Sequence, residues 1–130
     1  MKTLLITCLL VLNFSEAVYA DIVLNKSNIL AYYDLDTTKN IKLLFNAAKT
    51  GDLPSLEKAL KTDLKVNDSN HTGTTALMIA AKYGNIHIVK ALLNRGAKID
   101  LRNNSGLTAL DFARMYQKEE VLTYLQTKTQ

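Results

Sequence analysis

The chain has 130 residues, 48% of them hydrophobic and 22% charged, with a formal net charge of +4. That length holds one small core, and a lone cysteine, Cys8, excludes an internal disulfide framework. The 16 Lys and Arg are scattered with no two adjacent, unlike the dense patch that binds phosphate backbones, so the charge implies no nucleic-acid partner.

Residues 1–20 differ in kind from the rest. Lys2 gives a positive start, Leu4 to Leu12 form a nearly continuous apolar run, and Ala17-Val18-Tyr19-Ala20 place small or modest residues before a cut. This is the pattern of a secretory signal peptide cleaved after Ala20, because the run is too short to span roughly 30 Å of hydrocarbon. Cleavage removes one Lys, one Glu and the only cysteine, which leaves a chain suited to an oxidising compartment. The expected location is periplasmic or secreted, with no stable membrane insertion after cleavage. In residues 21–36, Ile22, Val23, Leu24, Ile29, Leu30 and Leu35 are apolar around a turn-like Asn25-Lys26-Ser27-Asn28. They are expected to cover the end of the first repeat, with Tyr32 and Tyr33 in a partner-binding arm as the alternative.

From residue 37 the chain reads as helix pairs. A helix near Ile41 to Lys49 carries Leu44, Ala47 and Ala48, and a second starts after Gly51 with Asp52 as cap and Pro54 in the first turn, where its missing amide does no harm. In the next unit Gly73 turns the chain, Thr75 caps a helix bearing Leu77, Ala80 and Ala81, and Gly84 stops it. Asn85 is expected to cap the following helix, whose face is Ile86, Val89, Leu92 and Leu93 before Gly96 ends it. The last unit places Thr108, Ala109-Leu110 and Ala113 on one helix and Val121, Leu122 and Leu125 on another, from about Lys118 to Thr127.

These units are copies. Gly73 and Gly106 are 33 residues apart, and the same step joins Thr75 to Thr108, Leu77 to Leu44 and Leu110, Ala80 to Ala47 and Ala113, and Gly84 to Gly51. A two-helix unit cannot bury its apolar sides alone, so the copies must stack. The predicted units are 37–69, 70–102 and 103–130.

In the middle copy, Gly73-Thr74-Thr75-Ala76-Leu77, Ala80-Ala81, Gly84, Ile88-Val89, Leu92-Leu93 and Gly96-Ala97 resemble the ankyrin repeat. The resemblance covers about residues 37 to 127. It implies an all-α fold, a helix-loop-helix solenoid of three stacked repeats. The short leader, the absence of cysteine after it and the Lys, Asn and Ile usage point to a bacterial exported protein, with a eukaryotic secreted origin as the alternative. The chain departs from the family pattern at Ala76 and Ala109 for Pro, Met78 and Asp111 for His, Asn40 and Lys42 in the first turn, and Gln117 for the interhelix Gly.

Catalytic and metal-binding patterns are lacking. His71 lies in a turn and His87 on a helix, neither with Cys or carboxylate at ligand spacing, so no metal or cofactor is expected. The glycines sit at helix ends rather than in a phosphate loop, and no serine has a readable base and orienting acid. Asp111, early in a helix, reads as a partner of exposed amides rather than a catalytic acid.

The chain is therefore expected to be a monomeric, non-catalytic protein-binding module. The alternatives are an accessory or regulatory subunit of an exported enzyme, or an enzyme with an unrecognised site. The resemblance implies a concave face made by the turns and the exposed sides of the first helices. Its residues are Lys49 and Thr50 from the first unit, His71, Thr72, Thr74, Lys82 and Tyr83 from the second, and Asn104, Ser105, Leu107, Met115 and Tyr116 from the third. Thr50, Tyr83 and Tyr116 share one register and Lys49, Lys82 and Met115 another, which suits an acidic protein surface.

Overall fold

The computed structural model describes residues 39–61 and 65–130, so the expected signal peptide and the 21–36 segment lie outside the described residues. All described residues fall in the unit Thr37–Gln130. They form α1 (39–50), α2 (Leu53–Leu60), α3 (Ala76–Tyr83), α4 (Ile86–Asn94), α5 (Ala109–Met115) and α6 (Glu119–Thr129).

Local chemistry sets the helix starts. Asp52 accepts from the Ser55 amide at 3.3 Å and Pro54 occupies the first turn of α2. Thr75 and Thr108 hold extended backbone, and their hydroxyls accept from the amides of Met78 at 3.4 Å and Asp111 at 3.3 Å. In α5 the Asp111 carboxylate accepts in return from the Thr108 amide at 2.9 Å, which closes a reciprocal cap. In α3 the Met78 sulfur takes that returning position, 3.5 Å from the Thr75 nitrogen.

Asn85 departs from its expected role. It precedes α4, yet its side chain makes no capping bond to that helix. Its Nδ2 instead donates to the Ala48 oxygen at 2.8 Å and the Lys49 oxygen at 2.9 Å. The last carbonyls of α1 lack partners within their own helix and compete for the amide.

The helix ends repeat as well. Gly84 takes φ 77°, and the chain turns back so that the Asn85 amide donates to the Ala80 oxygen at 3.0 Å. In the third unit Gln117 adopts φ 54° without a glycine's freedom, and the Lys118 amide reaches the Ala113 oxygen at 2.8 Å.

The first helices of the units, α1, α3 and α5, form an inner layer, and α2, α4 and α6 an outer one. Leu44, Leu56, Leu77, Met78, Leu92, Val121 and Leu125 fill the space between them, all fully buried or nearly so. Ala47, Ala48, Ala80, Ala81, Ala109 and Ala113 are also buried, and their small side chains let the inner helices approach. On α4 the buried face differs slightly from the expected one. Ile88 is fully buried while Leu93 is only partly so, because the middle unit packs against a neighbour on each side and needs a wider apolar stripe.

The turns before α3 and α5 are built alike. Asn70 Oδ1 accepts from the Thr72 and Thr74 amides, both at 3.0 Å, and Asn103 Oδ1 accepts from Ser105 at 3.0 Å and Leu107 at 2.9 Å. Adjacent turns join where the Asn104 amide donates to the Thr72 oxygen at 3.0 Å and its side chain to the His71 oxygen at 3.1 Å. Gly73 makes this approach possible, since a Cβ there would lie 2.7 Å from Asn104 Oδ1 and 3.1 Å from its backbone nitrogen. Across the outer layer, Arg95 after α4 pairs with Glu57 on α2.

Candidate functional site

The exposed side of the inner layer carries a groove of about 490 Å³. Residues four apart on one helix share a face, so Asn46, Ile79 and Phe112 line up with Thr50, Tyr83 and Tyr116 one turn on. Phe45, Ile79 and Phe112 are partly buried and form an apolar floor. Lys42, Lys49 and Lys82 stand around it, and Asn70 and Thr74 contribute from the turn.

Lysines and tyrosines alternate across the three units. Lys49 Nζ lies 5.7 Å from the centre of the Tyr83 ring, and Lys82 Nζ lies 5.7 Å from Tyr83 and 4.9 Å from Tyr116. Tyr116 in turn stacks on Phe112, with centroids 6.4 Å apart and planes 13° from parallel. Attraction between a cation and a ring face holds each ammonium near its rings. The rings nevertheless stay open, with Tyr83 at 42% and Tyr116 at 44% exposure beside Met115 at 59%.

The structure gathers some of the expected site residues and leaves others apart. Lys49, Thr74, Lys82 and Tyr83 line the groove, with Tyr116 touching it through Lys82 and Phe112 and with Met115 exposed one residue before. His71, Thr72, Asn104 and Ser105 are exposed at the turns and do not line it, and Leu107 is half-buried there. Thr50 donates its hydroxyl to the Asn46 oxygen at 2.9 Å. The floor residues Phe45, Ile79 and Phe112, with Lys42, Asn46 and Asn70, were missed by the sequence reading. Stepping back four residues from the tyrosine register reveals Ile79 and Phe112.

Asp111 is held below the usual carboxylate range, chiefly by the Thr108 amide and then by the Thr108 hydroxyl, with Arg114 and Arg102 adding to the effect and partial burial opposing it. That is a helix cap, as its position implies. Among the described residues no group of three or more His, Cys, Asp or Glu is placed to hold a metal ion. No described helix is long and apolar enough to cross a membrane.

The model of the ankyrin repeats, in three copies, matches residues 44–130. This chain belongs to the ankyrin repeat family. Among solved structures, a chain of the complex of Bd0816, a predatory endopeptidase from Bdellovibrio bacteriovorus, with immunity protein Bd3460 shares this ankyrin fold with a TM-score of 0.63 and 39% identity. The match covers 66% of this chain and 45% of that one, so this ankyrin chain spans less than half of its structural relative. Comparison with curated proteins returns no significant match.

Proposed function

We propose that the chain is an exported, non-catalytic ankyrin module that holds a protein partner against the concave face of its inner helices. The observation that carries this reading is the groove itself, which joins an apolar floor at Phe45, Ile79 and Phe112 to the open rings of Tyr83 and Tyr116. Rigid aromatic side chains beside a desolvated floor are the usual anchors of protein interfaces. Export rests on the leader-like residues 1–20 and on the lack of any cysteine after them.

A second reading sharpens the first. The solved relative comes from a complex of an endopeptidase with an immunity protein. That pairing supports a reading in which the partner is an exported peptidase and this chain its regulatory subunit. Both readings are tested by recovering tagged mature protein from its own exported fraction, as wild type and as the Lys82→Ala, Tyr83→Ala double variant. A protein held by the wild type and released by the variant supports the module, and a peptidase in that role supports the regulatory reading. Equal retention by both forms contradicts binding through this face.

A further inference from the structure

The charge around the groove is of one sign. Lys42, Lys49 and Lys82 line it and no carboxylate does so among the described residues. The ion pairs among the described residues are Arg95 with Glu57 and Arg114 with Asp111, so none of the three groove lysines is neutralised by one. Lys49 and Lys82 lie against the rings of Tyr83 and Tyr116, at 4.9 to 5.7 Å, which partly orders them before any ligand arrives. A cation already placed loses less freedom on pairing than a mobile one.

The outer layer offers a contrast. A second groove there, of about 530 Å³, is lined by Lys90, Glu119 and Glu120 together, and Lys90 Nζ lies 5.3 Å from the Tyr124 ring. Mixed charge selects against neither sign. Of these two grooves, the inner one combines an apolar floor with one sign of charge.

We propose that the inner groove takes an acidic segment of a protein partner, one that sets a bulky aliphatic or aromatic side chain on the Phe45, Ile79 and Phe112 floor and flanking carboxylates on Lys42, Lys49 and Lys82. The volume of about 490 Å³ lies within the roughly 300–1,000 Å³ of pockets that hold a drug-sized ligand, room for an anchoring side chain and its immediate neighbours. Carboxylates beside an apolar anchor satisfy both parts of the groove at once. A neutral apolar segment leaves the lysines facing a desolvated partner surface, and an acidic segment without the anchor leaves the floor wet.

The proposal rests on the inner-helix face being the binding face. It is tested by displaying a library of random dodecapeptides and selecting binders to the full mature chain. The expected winners carry Asp or Glu next to Phe, Leu, Ile or Tyr, and bind at least about tenfold more weakly when the carboxylates become amides. They are also expected to lose affinity to the Lys42→Gln, Lys49→Gln, Lys82→Gln variant and to Ile79→Ala, with circular dichroism confirming that each variant is folded. Neutral or basic winners, no winners at all, or winners insensitive to the lysine changes overturn the acidic assignment. The natural partner separates this failure from that of the underlying reading. If that partner is released by Ile79→Ala but not by the lysine variant, the face stands and the acidic segment falls. If neither variant releases it, the face itself is wrong. A short DNA duplex held more tightly than any selected peptide, or a homodimer that the lysine variant dissolves, assigns the groove to another occupant and overturns the proposal.

Discussion

Asn85 and Ala48, 37 positions apart in the chain, are joined by a 2.8 Å hydrogen bond from the Asn85 Nδ2 to the Ala48 oxygen. The same nitrogen reaches the Lys49 oxygen at 2.9 Å, so one amide group satisfies two terminal carbonyls of α1 and fixes the second unit on the first. Asn85→Ala leaves both carbonyls without this donor. A loss of about 1–2 kcal/mol is expected in urea unfolding, where a capping role within α4 alone gives less change in contacts between units. An Asn85→Asp variant separates the two roles, since aspartate caps a helix well but cannot donate to a carbonyl. It should be as destabilised as the alanine variant.

Gln117 occupies a backbone position that glycine fills in the other two units, with φ 54° against 81° at Gly51 and 77° at Gly84. A left-handed conformation strains a residue with a Cβ. Gln117→Gly should raise stability by about 0.5–1 kcal/mol, after the entropy that glycine adds to the unfolded chain is set against the relieved strain. Gly84→Gln should do the reverse, since φ 77° strains any residue with a Cβ and the Lys118 side chain, whose Cδ would lie 2.8 Å away, must also shift. Thermal melts of the two variants measure both.

The carboxyl of Asp111 is held below its usual value of 3.8 first by the Thr108 amide and then by the Thr108 hydroxyl. A folded-state value below the unfolded one means a contribution that is full above the unfolded value and lost as pH falls through the folded one. At pH 7 Asp111→Ala should cost about 1 kcal/mol, as for loss of a helix cap. The difference between wild type and variant should shrink as pH drops below about 4. Denaturation midpoints at pH 7 and at pH 3 give the comparison.

Most of the fold was legible in the sequence because its signals are local. Thr75 and Thr108 cap the helix that directly follows them, and Gly84 ends the helix directly before it, so a reader needs only a few neighbouring residues. The role of Asn85 was hidden for the opposite reason. Its partners are set by stacking, and nothing near position 85 announces a carbonyl at position 48. The groove was half visible. Lys82, Tyr83 and Tyr116 stood out by charge, aromaticity and register, whereas nothing in the sequence separates Ile79 and Phe112 from core residues, and the structure leaves both only partly buried. Asn46, which holds their register in the first unit, broke the apolar column and hid the pattern.

Processing follows from the residues before Asp21. If Ala20 ends a signal peptide, exported protein should begin at Asp21, which N-terminal sequencing reads directly. Exported protein that still carries Met1 to Ala20 contradicts cleavage there.

Docking of a protein partner on the inner-helix groove, as proposed, predicts a specific response from the Lys82→Ala, Tyr83→Ala double variant. Lys82 and Tyr83 meet in a contact of 5.7 Å at the centre of the lysine and tyrosine row, on the exposed side of α3. Lys58 is the control, exposed on α2 in the outer layer, and is cleaner than Lys90, whose ammonium rests on the Tyr124 ring. Titration of the partner by calorimetry should show the double variant weaker by more than about tenfold, with a melting temperature close to wild type, and Lys58→Ala unchanged in both. Full affinity in the double variant together with lost affinity in Lys58→Ala would place the partner on the opposite face and contradict the account.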